Sequence, residues 1–83
     1  MDEPFSQYRT SDLYFAAYLK VAAVPLLHLE REGKQVTFVF EGQGGPAMRS
    51  LKDQYFSDRA KVPALSYAQT VRDLKRQIYE TQR

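Results

Sequence analysis

Eighty-three residues, 43% of them hydrophobic, suffice for one modest core and are too few for two, so the chain reads as a single domain. The lack of cysteine excludes a disulfide framework and any thiolate zinc site, and a single histidine, His28, leaves little for nucleophilic or metal chemistry. The net charge of +2 conceals a division: through residue 45, Arg9, Lys20, Arg31 and Lys34 face six acids, whereas beyond it eight Lys or Arg face Asp53, Asp58, Asp73 and Glu80, so the basic excess lies in the second half.

The N-terminus has neither a basic leader nor a cleavable apolar stretch, and the longest apolar run, Leu13 to Leu27, is broken by Lys20 and Pro25 and falls short of the roughly 20 residues of a spanning helix. The expectation is a soluble, cytoplasmic protein with no membrane partner. Residues 1–9 show no period and read as a loose N-terminal arm, with Phe5 and Tyr8 able to pack on the body. The globular domain is expected over residues 10–80, and residues 81–83 form a tail that frays.

Thr10-Ser11-Asp12 supplies capping oxygens and a carboxylate suited to the positive end of a helix. The helix that follows, Asp12 to Ala23, is apolar on nearly every side and so is expected to be buried on more than one face. Pro25 ends it. Leu26–Glu41 reads as one β-hairpin turning at Glu32-Gly33. An even loop sets Leu29 opposite Val36 and Leu27 opposite Phe38, with Phe40 on the same apolar face. Leu26, His28, Glu30, Gln35, Thr37, Val39 and Glu41 then form a mostly polar outer face, with His28 beside Thr37.

Gly42-Gln43-Gly44-Gly45-Pro46 lacks the spacing of a phosphate-binding loop and reads as a connection into a second helix. That helix runs from Pro46 to about Phe56, with Met48, Leu51 and Tyr55 on one stripe. Ser66 and Gln69 match a capping box and place the start of the third helix there. Tyr67, Val71, Leu74 and Ile78 give it a single apolar stripe. The fold class is therefore α+β, order α-β-β-α-α, an antiparallel hairpin covered by helices.

The run TSDLYFAAYLK, the hairpin ending VTFVFE, the aromatic pair YF and the segment VPALSYAQTVRDLKRQIYE together resemble a family of short bacterial and phage domains of unknown function. The resemblance covers Thr10 to Glu80. It implies the architecture and assigns no role to any residue.

Catalysis is not expected. His28 is a structural histidine on the more polar hairpin face, the carboxylates show no metal-ligand spacing, and so small a core hardly encloses a cleft. No cofactor is implied. Two non-enzymatic readings remain. In the first, Arg59, Lys61, Arg72, Lys75, Arg76 and Arg83 neutralise phosphates of DNA or RNA, Gln69 hydrogen-bonds a base, and Tyr79 or Tyr55 stacks on one. Asp73 and Glu80 interrupt that basic stripe, and no helix-turn-helix is evident. In the second, the chain is a protein-interaction module, an adaptor, inhibitor or homodimer, that uses the free edge of Val36–Phe40. The plain alternative for the basic face is solvated surface, and for most of the aromatics it is core.

Overall fold

A computed structural model describes residues 7–42 and 46–81, so Phe5, most of the glycine loop, Gln82 and Arg83 lie outside the described residues. The chain is a small α+β domain. Its elements are β1 (Gln7–Thr10), α1 (Leu13–Val21), β2 (Leu26–Glu32), β3 (Gln35–Glu41), α2 (Pro46–Phe56) and α3 (Ala64–Thr81).

The sheet has three antiparallel strands in the order β1-β3-β2. The hairpin is as expected, but the end of the supposed arm is a strand: Gln7 to Thr10 pairs with Glu41 to Phe38. Four residues are too short a run for alternation to reveal, and what holds them is β3's second row of backbone groups. Tyr8 points inward opposite Phe40 and meets the Phe15 ring edge-on, with centroids 6.1 Å apart. The strand offered by the sequence as a free edge is thus the central one, closed by β1 from Phe38 to Glu41.

The loop is even, as parity required, but it is Gly33-Lys34, with Glu32 paired to Gln35. Gly33 has φ +63° and is the only positive-φ residue in the turn, the pattern of a II′ hairpin. The pairing slides by two residues as a result, so Leu29 faces Phe38 and His28 faces Val39. Between Leu26 and His28 the register shifts again, leaving Leu27 as the extra residue of a bulge. Leu26 therefore takes the inward place opposite Phe40, and Leu27, expected inside, is 46% exposed.

The outer face is polar, with one exception. Val39 is fully buried although no helix covers it. Its flanking neighbours are Arg9 and His28, and both converge on Glu30 Oε2, Arg9 Nη2 at 3.0 Å and His28 Nε2 at 3.1 Å. The Arg9–Glu30 pair spans the central strand from β1 to β2, while His28 and Glu30 lie two residues apart on β2. Such side chains cover apolar surface with their stems while their polar ends stay wet. The Glu30 carboxyl is held below its usual range chiefly by the hydrogen bond from His28. Desolvation opposes this and Arg9's charge adds to it.

α1 is the centre of the core, as its lack of a polar face demands. Phe15, Ala16, Ala17, Tyr18 and Leu19 are all buried, in one cluster with Phe38, Phe40, Met48 and Leu74. Asp12 caps it, its Oδ1 accepting from Tyr14 N at 3.0 Å and Phe15 N at 3.1 Å. At its other end Val24 N donates to Leu19 O and Ala23 N to Lys20 O, a Schellman closure with Ala23 at φ +70°. An L-residue with a Cβ is strained there. Ala23→Gly should raise stability by about 0.5–1 kcal/mol, visible as a melting temperature higher by about 2–8 °C; an unchanged or lower value would contradict the strain.

α2 begins at Pro46 and lays Met48, Leu51 and Tyr55 on the core, as expected. α3 starts at Ala64, two residues before the anticipated cap. Tyr67 N donates to Pro63 O at 2.9 Å, so the first turn already encloses Ser66, whose hydroxyl cannot serve as the cap. The stripe Tyr67, Val71, Leu74, Ile78 faces the core as read.

Candidate nucleic-acid interface

Burying that stripe fixes what α3 shows to solvent. Positions 68, 72, 75 and 79 recur at helical spacing beside the buried row, so Ala68, Arg72, Lys75 and Tyr79 share one exposed strip, with Gln69 and Arg76 on its flank. Arg72 and Lys75 line a shallow groove of about 350 Å³ whose other walls are Tyr14, Tyr67, Ala68 and Val71. Tyr14 comes from α1 and is 49% exposed; Tyr79, one turn beyond Lys75, is 71% exposed.

The groove is a seam between helices, and a specific bond pins it. The Tyr67 hydroxyl donates to the carbonyl oxygen of Tyr14 at 3.0 Å. Behind it, Tyr55 belongs to an aromatic cluster with Phe15, Tyr18 and Phe56, at centroid separations from 4.9 to 5.4 Å. Burial, followed by the neighbouring Tyr67, Asp12 and Tyr14, pushes the Tyr55 phenol up to about 12. Tyr67 is raised as well, by burial first, with Tyr55 pulling the other way. In both cases the fold favours the neutral phenol. Their contribution is complete below the ordinary value of 10.0 and is lost as pH rises through the folded values. Melting temperature should therefore fall between about pH 10 and pH 12, and Tyr55→Phe should flatten that fall; an equally steep decline in the variant would disprove the assignment.

The remaining sequence candidates divide. Arg59 does not join the strip: its Nη2 donates to Asp53 Oδ2 at 2.7 Å and its Nε to Ser57 Oγ at 2.9 Å. It braces the end of α2, where Asp58 takes φ +64° and Arg59 N closes on Gln54 O. Lys61 lies with Arg59 in a different depression, beside Ser50, Asp53 and Gln54. Arg76 is exposed and sits 3.4 Å from Asp73, a pairing that solvent weakens. Gln69 is exposed outside the groove, and Tyr55 is partly buried within the aromatic cluster. Among the described residues, the ion pairs engage Arg9, His28, Arg59 and Arg76, and none engages Arg72 or Lys75. Tyr14 is the residue that sequence reasoning missed. Nothing local to α1 marks it, because only the docking of α3 sets it beside the two cations.

A third depression, bordered by Tyr8, Met48, Arg49, Lys52 and Asp53, holds Lys52 Nζ 5.4 Å from the centroid of the Tyr8 ring, so that cation is already partnered. Among the described residues no group of three His, Cys, Asp or Glu is placed to hold a metal ion, and no helix is long and apolar enough to cross a membrane.

Compared with known proteins, residues 6–80 match the model of a family described as a domain of unknown function (DUF5659). No curated protein and no solved structure matches the chain.

Proposed function

We propose that the chain, which belongs to the DUF5659 family of domains of unknown function, is a non-enzymatic protein that binds nucleic acid through the basic strip of α3. The observation that carries this reading is the pair Arg72 and Lys75, one helical turn apart, unengaged by any carboxylate among the described residues, and lining the same groove as Tyr14 and Tyr67. Two such cations attract phosphate oxygens from any sequence, while the rings offer contact to bases. Arg76 adds charge at the flank, at the cost of its exposed contact with Asp73.

The competing protein-interaction reading loses its main support with the edge of β3, which β1 occupies. The outer edge of β2 carries the bulge at Leu27 and the charges of Glu30, Arg31 and Glu32, features that discourage strand addition.

The test is a fluorescence-anisotropy titration of labelled oligonucleotides with the purified protein over a range of salt. Binding that weakens linearly in log K against log salt supports the proposal. Absence of binding at low salt overturns it and makes the strip ordinary solvated surface.

A further inference from the structure

Resting on that reading, we infer that the ligand is a single strand whose unpaired bases enter the groove, and that Tyr14 is the residue that receives them. The groove is lined by Tyr14 and Tyr67, by the small or aliphatic Ala68 and Val71, and by the cations Arg72 and Lys75. A duplex presents phosphates and groove edges to such a surface, and its base faces are hidden in the stack. Only a strand with exposed base faces uses rings and cations together.

Three features suit the site to that task. Its volume of about 350 Å³ lies at the lower end of the range that holds small organic groups. The Tyr67 ring is fixed in advance by its 3.0 Å bond to the Tyr14 backbone, so little order is lost when a base arrives. Tyr79, exposed on the same strip one turn past Lys75, supplies a further ring along the helix, so that the two cations lie between aromatic residues at either end of the strip. The charge matches the ligand: two cations that no carboxylate among the described residues engages would face an anionic strand, and the other described lining residues are uncharged.

The experiment compares one labelled 20-mer as single-stranded DNA, as the same strand in duplex, and as RNA, binding to wild type, Tyr14→Ala and Tyr14→Phe at low salt. The expected result is single-strand affinity at least about tenfold above duplex, and a loss of about tenfold for Tyr14→Ala on single strands, with duplex affinity unchanged and Tyr14→Phe close to wild type. Because Tyr14 is half exposed, both variants should fold; superimposable circular dichroism melts establish this, and Tyr14→Phe preserves the ring if Tyr14→Ala does not fold. Duplex binding as tight as single-strand binding overturns this inference while leaving the proposed function standing, as does a Tyr14→Ala variant with undiminished affinity. Failure of all three oligonucleotides to bind overturns both.

Discussion

Leu74→Ala should lower stability by about 2–5 kcal/mol, a large part of the roughly 5–15 kcal/mol available to a domain of this size. Leu74 is the fully buried member of α3 and joins the cluster built from Phe15, Leu19, Phe38 and Phe40. Removing its branched end leaves a cavity beneath a helix otherwise held by half-buried side chains, Tyr67, Val71 and Ile78. Thermal melts should show a drop of about 10 °C or more. Leu65→Ala is the control: on the same helix but 70% exposed, it should change stability by no more than about 0.5 kcal/mol. Equal melting temperatures for the two variants would mean that α3 is not anchored through this stripe, and the groove between α1 and α3 would lose its basis.

Replacing Arg72, Lys75 and Arg76 together by glutamine should reduce oligonucleotide affinity on the order of 100-fold at low salt and lower the log–log salt slope by about two to three. The three sites are exposed, so the melting temperature should barely move. Within the set, Arg72→Gln and Lys75→Gln should each cost more than Arg76→Gln, because Arg76 must leave Asp73 to reach a phosphate. Arg59→Gln should leave affinity unaltered and instead loosen the end of α2, since its guanidinium is spent on Asp53 and Ser57. A triple variant that keeps the wild-type slope would remove these residues from any phosphate contact.

What the sequence made legible is what periodicity encodes. The all-round apolar character of α1 announced a central helix, and the alternating four- and three-residue spacing of Tyr67, Val71, Leu74 and Ile78 announced the buried face of α3. The hairpin was visible from two strand-forming arms around a glycine. Its exact register was not, because Gly33 serves equally well at either place in a two-residue loop and the bulge at Leu27 carries no residue that signals it. β1 escaped notice for a different reason. QYRT has one apolar member, and its conformation is dictated by the open side of β3 rather than by its own composition. At the candidate site, the adjacency of Arg72 and Lys75 follows from helical spacing alone, whereas the diversion of Arg59 depends on the tight closure after α2 and the arrival of Tyr14 depends on tertiary packing.

The placement of β1 also bears on how the domain assembles. The β2–β3 hairpin closes over two residues and can form as soon as both arms exist, but Thr10 must find Phe38 across the whole of α1 and β2. Closing that longer loop costs entropy that the hairpin does not incur, and the reward comes only once β3 is already straight. During synthesis the order is reversed in time: Gln7–Thr10 leaves the ribosome ahead of every element it contacts. The first strand to be made has no partner until the third is complete, so the sheet closes last around its oldest segment.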